Sequence, residues 1–223
     1  MDEMIKFFLK NYERMGRMLN QHVYLVICSF LLSLVIAFPF GILAAKKKKI
    51  APIINNVFNI IFSVPSMAMY ALLIPVSGLG SGTAIIVLAI YNQIILVRNI
   101  VEGFDSVDKT ILEAGKGMGL GSVQLFFKVE LPLAIPKICT GFRLALLSTI
   151  STATLAAVIN SGGIGDLLFA GLRQQYFIKI YWGTILAAIL ALITSLILRK
   201  LENYAIAKAN GEVVKKNRKH GKK

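Results

Sequence analysis

Residues 113–132 read EAGKGMGLGSVQLFFKVELP. This is the most polar and glycine-rich stretch in the middle of an otherwise oily chain, and apolar runs flank it on both sides. Asp108 is placed to cap a short helix over 109–116. Gly115, Gly117, Gly119 and Gly121 supply a backbone that can turn sharply and be approached closely. Ser122 is a good N-cap for a second helix over 123–130, and Pro132 and Pro136 are expected to stop it and re-aim the chain. The product is a helix–turn–helix knob of the kind that enters a groove on another protein. The whole polar connection, about 102–137, is long for a link between apolar segments, and such lengths usually mark function.

The surroundings of the knob define its solvent. The chain has 223 residues, 56% of them hydrophobic, against 45–50% in soluble domains. A core cannot absorb that excess in so short a chain, so lipid is the expected solvent. The net charge is +14, from 25 basic and 11 acidic side chains. The positive charge gathers at the ends of apolar runs, the pattern expected beside anionic headgroups and not nucleic acid. Cys28 and Cys139 lie in or beside apolar runs without metal-type spacing and read as small hydrophobes. No cleavable signal peptide is evident, because the first apolar run starts late and is too long.

Residues 1–20 place Met4, Ile5, Phe8, Tyr12, Met15 and Leu19 at spacings of three and four, with Lys6, Lys10, Arg14 and Arg17 opposite. That pattern predicts an amphipathic interfacial helix. The core domain is expected over 21–204, and a basic tail over 205–223. Five spans are predicted, at about 23–45, 53–75, 83–97, 138–159 and 182–198, since about twenty apolar residues cross the hydrocarbon. Pro39 should kink the first span and Pro65 should interrupt the second. Residues 160–181, Gly-rich and then amphipathic, read as a re-entrant or interfacial segment. No charged residue is expected in the middle of a span. Lys46–Lys49, the central segment and the basic tail all fall on one side, which the positive-inside rule makes cytoplasmic. The N terminus is then outside and the C terminus inside.

The order Glu113-Ala114, Gly119, Val129, Leu131-Pro132 resembles the cytoplasmic EAA loop of binding-protein-dependent ABC importer permeases. That pattern runs Glu-Ala-Ala, three residues, Gly, nine residues, an aliphatic residue, one more, then Leu-Pro. Gly115 stands where the third Ala usually does, which should loosen the first helix slightly without blocking docking. The resemblance covers roughly 20–200. In Leu96–Leu120 and Ser161–Leu172 it is strongest to permeases of glycine betaine, carnitine and choline importers, and methionine-importer permeases share the five-span core.

The resemblance implies an all-α membrane protein of the type I importer fold, working in a bacterial cell membrane as a permease dimer. Two ATP-binding subunits would dock on the inner loops through Glu113, Ala114, Gly115, Gly119, Val129, Leu131 and Pro132, and a separate binding protein would deliver the solute outside. The chain lacks a GxxxxGK[ST] loop, so it is not itself the ATPase, and ATP and Mg would be bound by the partner. It is expected to hold no cofactor or metal; His22 and His220 lie far apart, outside the spans.

A quaternary ammonium has permanent charge and no N–H, so aromatic faces suit it. Tyr70, Tyr91 and Phe62, with Asn59, Ser63 and Asn92, are the candidate path residues, beside Met67 and Met69. Gly162, Gly163 and Asp166 are candidates for an outer gate or binding-protein contact, with a helix cap as the alternative for Asp166. Another small solute such as methionine remains open, as does a membrane scaffold or a channel.

Overall fold

The computed structural model describes residues 2–209, and the basic run from Lys215 lies outside the described residues. The elements in chain order are α1 (Asp2–Lys46), α2 (Ala51–Ser63), α3 (Ser66–Ser77), α4 (Ser81–Asp105), α5 (Lys109–Gly117), α6 (Ser122–Leu125), a widened π-type turn (Phe126–Glu130), α7 (Leu131–Ala153), a 3₁₀ turn (Leu155–Ile159), α8 (Ile164–Arg173) and α9 (Phe177–Ala209). Among the described residues, four helical segments are long and apolar enough to cross a membrane: α1, α4, the continuous run Ser122–Ala153, and α9. The pair α2 and α3, bent by 94° at its break, passes the same test only when the two are taken together as one span. Val64 and Pro65 stand at that break, because proline removes an N–H and clashes with the preceding turn. Tyr91 of α4 donates its hydroxyl to the Val64 carbonyl at the break, so this backbone group keeps a partner in an apolar medium.

The bundle is built around α4. Along α1 the residues Ser29, Ser33, Ala37, Gly41 and Ala44 form a buried stripe of small side chains. Without a hydrophobic force between helices in lipid, such stripes let backbones approach. A Cβ at Gly41 would stand 2.7 Å from Ile100 of α4, and one at Gly141 of α7 would stand 2.4 Å from the Cβ of Asn99. The main core joins Ala37, Ala44, Leu96, Val97, Ile100, Phe104, Ala134, Ile138 and Ala145. By contrast α9 has no charged side chain over residues 180–198, buries only Gly183, and exposes Leu192, Leu196 and Ile197, as a peripheral helix in lipid does.

Two expectations need correction. The boundary between an interfacial helix and a first span is not a break: α1 runs unbroken for 45 residues, about 67 Å at 1.5 Å per residue and about twice a hydrocarbon core. No proline or glycine-rich turn interrupts residues 15–25, and Met15 and Met18 pack with Leu167 beside Trp182 and Leu186, which holds the first half against α8 and α9. In addition, Pro132 and Pro136 do not stop the second knob helix. Pro132 sits in the first turn of α7 and Pro136 inside it, and the widened turn at 126–130 precedes them. Such a turn accommodates a missing donor without ending the helix.

Candidate functional site

The polar knob forms as a unit. The Asp108 carboxylate accepts the Thr110 backbone N–H at 2.8 Å and caps α5. That hydrogen bond holds its carboxyl below the usual range. At the other end, Gly119 N–H donates to Lys116 O at 2.9 Å and Leu120 N–H to Gly115 O at 3.2 Å. With Gly119 at φ +82°, this is a Schellman cap, in which a left-handed residue lets the last carbonyls find donors. The second helix is capped at Gly121 with no side-chain bond, so Ser122 does not play the capping part read for it. Gly115 is buried, and a Cβ there would stand 2.6 Å from Leu125 Cδ1; this is where α5 rests on α6.

Gly119→Ala is expected to cost about 1–2 kcal/mol of local stability, the penalty of a left-handed L-residue. Hydrogen exchange over 109–117 should quicken while α4 keeps its protection. Gly117→Ala, with ordinary φ and nothing within 4 Å of its Cβ, should leave that exchange unchanged.

The expected knob residues divide into a tip and a base. Glu113 and Ala114 are exposed at the tip, beside the exposed apolar side chains Ile111, Met118, Val123 and Phe127. Exposed apolar surface edged by charge marks an interaction site. Val129 and Pro132 instead line a cleft of about 500 Å³ against Tyr204 and Ala205 of α9. Leu131 packs on the main core. The base thus packs on α9 and the main core, whereas the tip stands clear of both.

The structure adds residues that sequence reasoning missed. Phe126 stacks on Phe104 of α4 with ring centroids 5.5 Å apart, and Lys46 Nζ of α1 sits 4.2 Å over the Phe126 ring. Lys48 pairs with Asp105. Glu102 pairs with Arg98 at 3.3 Å and Lys137 at 3.1 Å. The knob is thus tied to α1 and α4 and is continuous with α7. Nothing in the sequence pairs Lys46 with Phe126, because the two lie far apart along the chain.

A second missed pair lies deeper. Arg143, inside the expected fourth span, binds Glu202 of α9 at 3.0 Å, so a charged residue does stand within a span. Thr140 Oγ1 also donates to Glu202. Glu202→Gln should lower stability by about 2 kcal/mol, the usual worth of a hydrogen bond to a charged group. Adding Arg143→Gln should restore most of it in thermal unfolding, since no uncompensated charge then remains.

The candidate path residues separate. Tyr70 is 1% exposed and packs among Leu25, Ala84 and Val87. Asn92, 2% exposed, donates to Thr149 Oγ1 at 2.8 Å and to Ser33 Oγ at 3.2 Å. It therefore joins α4 to α1 and α7 in the interior of this chain, because a polar group inside a bundle finds protein partners. Tyr91 is half-buried at the α2–α3 break, its ring 5.7 Å from Phe62. Asn59 and Ser63 are exposed on α2. Asn59 and Phe62 line a cavity of about 460 Å³ that reaches Arg98, Glu102 and Lys137.

At the far end of the bundle, Gly162 and Gly163 have φ of +77° and +93° and press on α1. Gly163 N–H donates to Gln21 Oε1 at 3.2 Å, and a Cβ at Gly163 would stand 3.1 Å from the His22 ring. His22 lies inside the bundle, fully buried, with Nε2 3.0 Å from Ile150 O, and not outside the spans as its flanking position implies. Asp166 stands in the first turn of α8, whose cap is Gly163 without a side-chain bond, so it is not the helix cap. Burial pushes its carboxyl up, opposed by Arg14 and Arg173. Among the described residues, no group of three metal-ligating side chains forms.

Comparison with known proteins places this geometry. Residues 37–208 match the family described as binding-protein-dependent transport system inner membrane component. The chain is 37% identical over 209 residues to the carnitine transport permease protein OpuCB of Listeria monocytogenes, covering 94% of this chain and 96% of that one. It is 34% identical to the glycine betaine/carnitine/choline transport system permease protein OpuCB of Bacillus subtilis, covering 91% and 93%, and 30% identical to the osmoprotectant import permease protein OsmW of Salmonella typhimurium, covering 89% and 94%. In fold it is similar to a chain of the inward-facing MetNI methionine ABC transporter, with TM-score 0.78, 18% identity, and 85% and 95% of the two chains covered. With all five apolar segments and an exposed knob carrying the Glu-Ala to Leu-Pro spacing, the chain belongs to the family of inner membrane components of binding-protein-dependent transport systems.

Proposed function

We propose that the chain is the membrane-spanning subunit of an ATP-driven importer, working as a dimer of permeases, identical or paired with a similar subunit. Two ATP-binding subunits dock on the two knobs, and a separate extracytoplasmic binding protein delivers the solute. The observation that carries this reading is an exposed knob made continuous with α7 and bound through Phe126 to α4 and α1. A displacement at Glu113 then reaches three spanning helices as a rigid push, which is what alternating access requires. In the bacterial cell membrane the knob faces the cytoplasm. The lysine end of α1 and the far end of α9 lie at the knob's end of the bundle, which supports an N terminus outside and a C terminus inside.

The solute is a quaternary ammonium osmoprotectant of the glycine betaine, carnitine or choline kind. The relatives named above support this, and so does the Phe62–Tyr91 pair beside Asn59 and Ser63 at the broken span, where an aromatic face attracts a cation without N–H donors. Gly162, Gly163 and Asp166 shape the outer end, and Gly162 and Gly163 do so by setting α8 against α1. Uptake of radiolabelled betaine, carnitine, choline and methionine should be compared in proteoliposomes holding the full complex. ATP-dependent uptake of at least one of the first three is expected. Uptake of methionine alone would overturn the substrate class.

A further inference from the structure

We propose that the cleft between the first half of α1 and the α8–α9 corner binds the headgroup of an anionic phospholipid. Lys6, Lys10 and Arg14 recur every fourth residue and share one face of α1. Together with Lys179 of α9 they line a cavity of about 520 Å³. Its apolar wall is Phe7, Met15, Met18 and Leu167. Among the described residues the ion pairs lie elsewhere; Glu3 is the one acidic side chain in the lining, and Asp166, just outside it, stands near enough to Arg14 to feel its charge. Lys179 Nζ is held in place by Gln174 Oε1 and lies 5.7 Å from the Tyr176 ring.

These features fit an amphiphile better than a free anion. A row of cations beside an apolar wall matches the junction of phosphodiester and acyl chain. The surroundings place that junction at a membrane interface. Trp182 stacks on Phe8 at 4.8 Å and donates its N–H to Met4 O at 3.1 Å. Ile5, Leu9 and Tyr12 of α1 and Phe177 and Tyr181 of α9 are exposed beside it. Aromatic and apolar side chains exposed at one level of a membrane protein form the interfacial belt. The site also explains why four cations collect at the end of the bundle opposite the knob, where the positive-inside rule disfavours them. It does not depend on the transport reading or on the solute.

The test uses the full-length chain purified in detergent, titrated with phosphatidylglycerol and with phosphatidylcholine of the same acyl chains and read by native mass spectrometry. Phosphatidylglycerol should bind in preference. The exposed-residue variant Lys6→Gln/Lys10→Gln/Arg14→Gln should lose about tenfold or more of that affinity, and Lys179→Gln should weaken it less. Lys47→Gln/Lys49→Gln, at the opposite end of the bundle, should bind as wild type. Equal affinity for the two lipids, undiminished binding by the triple variant, or an equal loss in the Lys47/Lys49 variant would each overturn the proposal. So would competition by glycerol 1-phosphate as effective as that of the lipid, because the apolar wall would then contribute nothing.

Discussion

Glu113→Lys is expected to abolish ATP-driven uptake by the reconstituted complex while the chain still inserts and folds. The side chain is exposed on α5, and the ion pairs among the described residues do not include it. Exposed substitutions of this kind usually change stability by less than about 0.5 kcal/mol. The same carboxylate at a docked interface is a different matter. Breaking a charge contact there costs about 2–5 kcal/mol, roughly thirty-fold or more in affinity, and reversing its sign adds repulsion. Circular dichroism and thermal unfolding should match wild type, whereas uptake and recovery of the ATP-binding subunit with the permease should both collapse. Normal uptake by the variant would remove Glu113 from the coupling element.

Gly165→Ala is expected to destabilise the fold by about 3 kcal/mol or more, at the upper end of overpacking costs. A Cβ there would stand 2.0 Å from the Thr154 carbonyl oxygen and 2.8 Å from Ala157 Cβ. The first contact is backbone, and it lies where α8 folds back over the 3₁₀ turn, so no rotamer change relieves it. The yield of monodisperse protein and the melting temperature in detergent should both fall sharply. Gly82→Ala, at the start of α4 with nothing within 4 Å, is the matched control and should be neutral. A wild-type melting temperature for Gly165→Ala would mean that α8 does not pack against the turn as described.

The contrast between Glu113 and Gly165 shows which features were legible in the chain. The Asp108 cap and the glycine turn around Gly119 depend on local backbone geometry, so residue type and spacing announced them before any packing was known, and Glu113 was picked out by the resemblance that its Glu-Ala to Leu-Pro spacing carries. Pro65 likewise announced a break in the second span, since a missing N–H acts within one turn. Arg143 with Glu202, His22 with Ile150, and Lys46 with Phe126 were not legible. Each joins residues far apart in sequence, and periodicity says only that a face is polar or apolar, not what it meets. The same reason explains Asn92. A polar side chain in an apolar run must be satisfied, but a watery path and a Thr149–Ser33 partnership satisfy it equally well on paper.

Sequence alone determined the solvent, the five apolar segments and the knob with its Glu-Ala to Leu-Pro spacing, because transfer free energy and backbone caps are local or additive properties. Only the tertiary structure decided that α1 runs unbroken past the expected boundary, that the prolines at 132 and 136 are carried through a widened turn into α7, and that the knob is locked to α4 and α1 through Phe126. Those outcomes depend on which surfaces meet, and helix contacts in lipid are chosen by close packing of small residues rather than by the pattern of any one segment.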